Sequence, residues 1–181
     1  AGCSELRAVL AEDVSAGRGV SYSMENVAIQ PGGKPTIGKF MLAMMNPGDE
    51  VLYPNPGYPI YESMIEFHGG KAVPYTYREG TGNFEIDLDM LERQITPRTR
   101  ILVLNDLQNP TAAECSPAEM ERLADVVLKH DLYVLSDEAY FDIRYEGKSR
   151  SIVSLPGMAE RCVILYTFSK KFAMTGWRLG A

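Results

Sequence analysis

The sequence predicts an α/β fold, a three-layer α/β/α sandwich around a mostly parallel sheet. Three observations predict it. Short apolar runs of strand length, at residues 50–53, 100–105 and 132–135, alternate with stretches whose apolar residues recur at helical spacing. Glycine, proline and asparagine punctuate almost every change from one kind of segment to the other. Polar residues also gather just after the apolar runs, and open parallel sheets bind ligands beyond the carboxyl ends of their strands.

Ser4 is placed to cap a first helix, with Leu6, Val9, Leu10 and Val14 on one face and Gly17 and Gly19 as its stop. Residues 25–30 contain Val27-Ala-Ile29, read as a short strand. Pro31-Gly-Gly-Lys34 follows, then a helix with Ile37, Phe40, Met41, Met44 and Met45 on its apolar face, closed by the turn Asn46-Pro-Gly-Asp49. A strand, a glycine turn and a helix place free N–H groups where an anion can approach, although many such turns carry glycine for steric reasons alone.

Residues 50–53 form the next strand and run into Pro54-Asn-Pro-Gly-Tyr-Pro59, a stiff loop that presents Tyr58 either as a core aromatic or as a platform for a ring. A helix follows through Met64 and Phe67 and stops at Gly69 and Gly70. Residues 72–77 read as a strand at the sheet edge, because Pro74 cannot donate to a ladder. Residues 78–84 read as a polar loop, and Leu88, Leu91 and Ile95 mark a short helix over 87–95. The apolar run 100–105 predicts a central strand, followed by Asp106-Leu-Gln-Asn-Pro-Thr111. Ser116, Pro117 and Glu119 form a capping-box start for a helix to about His130, with Leu123, Val126 and Val127 facing inward. Residues 132–135 are a strand ending in Ser136-Asp-Glu-Ala-Tyr140, where Asp137 is either a loop cap or a buried carboxylate awaiting a cation. His68 and His130 fall near helix ends and receive no chemical role.

Composition narrows the function classes. The chain has 181 residues, 45% of them hydrophobic and 23% charged, enough for one domain with a real core. A net charge of -6 without a basic run argues against a nucleic-acid partner. No apolar run has the length of a membrane span, and the first residues lack the features of a secretory signal. Cys3, Cys115 and Cys162 are too scattered for a disulfide framework and suit a reducing compartment, which points to the cytoplasm. Nothing has metal-ligand spacing, and two histidines give little scope for a Ser-His-Asp arrangement. Both termini look abrupt, and the chain is expected to be a fragment of a longer protein.

The most informative stretch is the last. An apolar run over 162–168 stops at Ser169, Lys170 and Lys171, and Arg178 stands beyond Gly176 and Trp177. A lysine at the end of a buried strand can lose solvation and become a Schiff-base former. A nearby arginine offers a planar fork to phosphate. Together they suggest pyridoxal 5′-phosphate (PLP); two surface lysines at a helix start are the plain alternative, and the spacing does not choose between Lys170 and Lys171.

These pieces, in this order, resemble the class I/II aminotransferases, the aspartate aminotransferase superfamily of fold type I PLP enzymes. The resemblance is carried by Pro31-Gly-Gly-Lys34, Asn46-Pro-Gly-Asp-Glu50, Pro56-Gly-Tyr-Pro59, Asn109-Pro-Thr111, Ser136-Asp-Glu-Ala-Tyr140 and the run from Ser169 to Gly180. It implies that residues 1–181 are a PLP-binding large domain, partial because the family's N-terminal arm, last large-domain strand and C-terminal small domain are absent. It implies Lys170 as the Schiff-base lysine, with Arg178, Thr167 and the amides around Gly33 and Lys34 at the phosphate. Asp137 would partner the pyridinium nitrogen, Tyr140 and Asn109 the phenolic oxygen, and Tyr58 the ring face. Asn109 would also meet the substrate carboxylate. The implied catalytic residues are Lys170, Asp137 and Tyr140, the implied substrates an amino acid and a 2-oxo acid, and the implied assembly a homodimer. A carbon–sulfur β-lyase of the same fold, or a catalytically incompetent PLP-binding fragment, would carry the same residues. Ala112 departs from the family's usual glycine; at a positive φ it would cost about 1 kcal/mol.

Overall fold

The computed structural model describes residues 2–181. Its centre is a five-stranded sheet of β1 (Glu50–Pro54), β2 (Lys71–Tyr75), β5 (Thr99–Asn105), β6 (Tyr133–Asp137) and β7 (Cys162–Leu165), in the order β2-β1-β5-β6-β7. Every pairing in it is parallel. The expected sheet is therefore present, β5 is central, and β2 with its Pro74 lies at the edge as predicted.

Strand alternation separates two cores. Val51, Tyr53, Ile101, Val103, Leu135 and Leu165 face α2 (Lys34–Met44) and α3 (Ile60–Phe67), packing on Ile37, Phe40, Met41, Tyr61 and Ile65. Leu52, Leu102, Leu104 and Val134 face α4 (Leu88–Arg93) and α5 (Pro117–Lys129), packing on Leu88, Leu91, Met120, Leu123 and Val127. Successive strand residues point to opposite faces, so a continuous apolar run is what a sheet covered on both sides requires. A third cluster seats α1 (Ser4–Arg18) through Leu10 and Val14 against Tyr166.

Local signals held where they were chemical. The box of Ser116 and Glu119 starts α5, and His68 and His130 are the C-cap residues of α3 and α5. Five expectations are corrected. Residues 25–30 are not a strand: Met24–Asn26 is a 3-10 turn capped by Ser23, and only Gln30 pairs, in an isolated bridge with Gly180. Val27 and Ile29 instead pack against the α1 cluster, so their apolar character serves burial and not a ladder. The strand expected over 72–77 breaks at Thr76, and the polar loop contains an antiparallel pair, β3 (Tyr77–Glu79) with β4 (Phe84–Ile86). The first helix is capped at Cys3 and passes through Gly17 to Arg18; Gly19, at φ 67, ends it. The last strand stops at Leu165, three residues short of expectation, because Tyr166 bonds to Ala181 and Thr167 caps a new turn, α6 (Phe168–Lys171). No helix among the described residues is long and apolar enough to cross a membrane.

Candidate active site

A parallel sheet sends all its carboxyl ends to one edge, and there a cavity of about 230 Å³ opens. All nine residues singled out from the sequence line it: Gly33, Lys34, Tyr58, Asn109, Asp137, Tyr140, Thr167, Lys170 and Arg178. They come from the ends of β1, β5, β6 and β7 and from the start of α2.

One wall is built for an anion. Gly33 is the N-cap of α2, whose first N–H groups have no partner within the helix. Gly32 has φ 94, and a Cβ there would stand 2.2 Å from Nη2 of Arg178; a Cβ on Gly33 would stand 3.1 Å from Leu165 and 3.4 Å from Thr167. The two glycines therefore let backbone, arginine and threonine converge in a space that any side chain would fill. Arg178 is held by a hydrogen bond from Nη1 to the Thr175 carbonyl at 3.0 Å, and Thr167 accepts from the Ser169 N–H at 3.2 Å. A helix start, a guanidinium and a hydroxyl together suit an anion such as phosphate.

The two lysines point to different places. Nζ of Lys171 turns away to Asp13 at 3.3 Å and Asp142 at 3.2 Å. Burial works against its charge, yet Tyr166 and the two acids hold its pKa above the ordinary lysine value. Lys170 lines the cavity, with Nζ 5.6 Å from the centroid of the Tyr140 ring, and has no acidic partner among the described residues.

Asp137 forms the floor. It is 5% exposed; one carboxyl oxygen accepts from the Tyr61 hydroxyl at 2.6 Å and the other from the Ala139 N–H at 3.1 Å. Burial pushes its pKa up, against the pull of those two hydrogen bonds. Its hydrogen-bond donors are both neutral, so a cationic N–H in the cavity would find a strong acceptor there. Tyr58 stands edge-to-face on Tyr61, centroids 5.9 Å apart, and Nζ of Lys34 lies 5.8 Å from the Tyr58 ring. Asn109 donates its backbone N–H to Asn105 Oδ1 at 3.0 Å, and Asn105 Nδ2 donates to the Asp137 carbonyl at 3.0 Å. Ala112, at φ 58, occupies the left-handed conformation that its departure from glycine made costly.

Sequence reading missed Tyr61, Asn105 and Gln108. Tyr61 sits at an inward helical position that any core aromatic could fill, and Asn105 ends an apolar strand like many caps. Only their partners, distant in sequence, distinguish them.

Comparison with known proteins gives the same picture. The family model described as aminotransferase class I and II matches residues 1–181. The chain is 40% identical, over 99% of its length, to an aspartate aminotransferase of Sulfolobus acidocaldarius, of which it covers 45%. It is 37% identical, over 97% of its length, to an arginine–pyruvate transaminase of Pseudomonas aeruginosa, of which it covers 44%. Among solved structures, the N-succinyldiaminopimelate aminotransferase of Mycobacterium tuberculosis superposes with a TM-score of 0.95 at 31% identity, covering 99% of this chain and 47% of that one. The aromatic aminotransferase of Pyrococcus horikoshii gives 0.94 at 36% identity, covering 99% and 48%. The chain thus spans somewhat under half the length of these relatives. With its parallel sheet, its strand-end cavity and a family match along its whole length, the chain belongs to the class I and II aminotransferases, a PLP-dependent family.

Proposed function

We propose that the protein is a PLP-dependent aminotransferase that moves an amino group between an amino acid and a 2-oxo acid, and that this chain is the larger part of its cofactor-binding domain. The observation that carries the reading is the convergence of an anion cradle, a buried carboxylate and a lysine without an acidic partner on one cavity. The residues fit the cofactor: the glycines leave the cradle open, and Asp137 offers a buried acceptor in the same cavity.

In this reading the Gly33 and Lys34 amides, Thr167 and Arg178 hold the phosphate. Asp137 keeps the ring nitrogen protonated, while Tyr58 covers the ring face. Tyr140 and Asn109 donate to the phenolic oxygen. Bound there, PLP supplies an electron sink that acidifies the substrate Cα–H. Lys170 would be the covalent anchor of the cofactor, and its amine, when free, would serve as the base that takes the proton from the substrate Cα and holds it for return. Lys171, fixed by Asp13 and Asp142, takes no part. The reading includes a homodimer in the cytoplasm, a reducing compartment that suits the three free cysteines.

The test uses the full-length protein. PLP should give an absorbance band near the visible edge, and borohydride should fix it to Lys170. Amino acids should then convert the cofactor to its aminated form. Pyruvate release from cysteine conjugates without that conversion would overturn the transaminase reading in favour of a lyase.

A further inference from the structure

Two loops that follow neighbouring strands contribute to the cavity wall. Residues 54–59 follow β1 and carry Tyr58; residues 106–113 follow β5 and carry Asn109. One side chain joins them. Gln108 is 2% exposed, and both ends of its amide are hydrogen-bonded. Nε2 donates to the Pro56 carbonyl at 2.7 Å. Oε1 accepts from the Thr111 N–H at 2.9 Å and from its hydroxyl at 2.6 Å. The backbone N–H of Gln108 donates to the Ala113 carbonyl at 2.9 Å, and its carbonyl accepts from the Ala112 N–H at 2.6 Å.

That loop needs holding. Leu107 at φ 53 and Ala112 at φ 58 flank it, both left-handed without being glycine. Such backbone persists only where its surroundings over-determine it. Asn105 pins one side, accepting from Asn109 and donating to the Asp137 carbonyl. Gln108 pins the other. The links therefore run from Pro56 to Gln108, along the chain to the Asn109 amide, and through Asn105 to Asp137, across the ends of β1, β5 and β6. Among the described residues, the bond from Gln108 to Pro56 is the hydrogen bond that ties the Tyr58 loop to the Asn109 loop.

We propose that Gln108 is a positioning residue that sets the gap between Tyr58 and Asn109, and so the grip on the cofactor ring. This rests on the PLP reading above. A glutamine that only filled space would not need its N–H pointed at a carbonyl of the opposite loop.

The test measures PLP affinity of the full-length protein by absorbance titration. Gln108→Glu keeps the size and the acceptor for Thr111 but, when ionised, cannot donate to Pro56. At pH 8 its Kd for PLP should rise about threefold to tenfold, the worth of one hydrogen bond. Relative to the unmodified protein at each pH, the defect should shrink toward pH 6, because burial raises the pKa of the new carboxyl and its protonated form donates again. In a Tyr58→Leu background the same substitution should change Kd by less than about twofold, since the ring it positions is gone. The thermal midpoint of the cofactor-free protein serves as the control for folding. If Gln108→Glu does not fold, Gln108→Met is read in the same two backgrounds, without the pH arm. An unchanged Kd, or an equal factor with and without Tyr58, overturns the role of Gln108 and leaves the PLP reading intact. An unmodified protein that forms no PLP band overturns that reading and, with it, this inference.

Discussion

Asp137 and Glu138 are neighbours in the chain and both are buried, yet their surroundings are opposite. Glu138 meets the buried guanidinium of Arg18, Nε to Oε2 at 2.7 Å, and accepts from the hydroxyls of Ser136 and Ser151. Arg18 in turn stacks on Phe141, 3.9 Å from the ring centroid. Among the described residues, Asp137 has only Tyr61 and a backbone amide. The two lysines repeat the contrast: Lys171 is paired with two acids, Lys170 with none among the described residues. Burying a charge is costly unless it is compensated within the protein or by a ligand. The Glu138 carboxylate is completed by Arg18 within the fold, whereas the Asp137 carboxylate lines a cavity with no cation beside it among the described residues.

The sharpest way to break this comparison is to exchange the partners. Lys170→Ala should abolish the borohydride-stable adduct completely, whereas Lys171→Ala should leave it in place. Peptide mapping that found the adduct on Lys171 would reverse the assignment. Arg18→Met should be the most damaging change to folding, about 3–5 kcal/mol in a denaturant titration, because it strands the Glu138 charge in the interior.

Asp106 is a third carboxyl withdrawn from water, and it sharpens the contrast because it has no cationic partner among the described residues and does not line the main cavity. It accepts from the Cys115 N–H at 2.8 Å, and burial pushes its pKa up to about 6. A carboxyl whose pKa is higher in the folded than in the unfolded state favours folding while protonated. The benefit is full below the ordinary carboxylate value near 4 and is lost as pH rises through about 6. Asp106→Asn should therefore stabilise the protein at pH 7, by on the order of 2 kcal/mol, and show little gain near pH 4. An equal effect at both pH values would contradict the account. Asp137 shares the sign: without cofactor, Asp137→Asn should raise the thermal midpoint at neutral pH while weakening PLP binding. A carboxylate that served the fold, as Glu138 does, would instead lose stability on the same exchange.

The smallest expected effect is at Ala112. Ala112→Gly removes the left-handed penalty at φ 58 and should stabilise the chain by about 1 kcal/mol, read as a modest rise in thermal midpoint. A loss of stability would mean that loop entropy outweighs the strain.

Much of this molecule was legible before its fold was known, for reasons that can be named. Strand alternation on a sheet covered from both sides writes continuous apolar runs, and capping writes Ser116 and Glu119 at the start of α5. Because parallel strands end at one edge, placing Tyr58, Asn109, Asp137 and Lys170 after strands was enough to bring them together. These are local patterns joined by one topological rule, and the sequence by itself determined them. Tertiary structure alone decided what long-range partners decide. It engaged Lys171 with Asp13 and Asp142, the first 158 residues away in the chain, and left Lys170 lining the cavity. It turned Tyr61 and Gln108 from ordinary buried side chains into the supports of Asp137 and of the Tyr58 loop. It also left Val27 and Ile29 outside any ladder, although their composition suits one. Charge compensation and hydrogen-bond partnership depend on what lies within a few ångströms in space, and at these positions the neighbours come from distant parts of the chain.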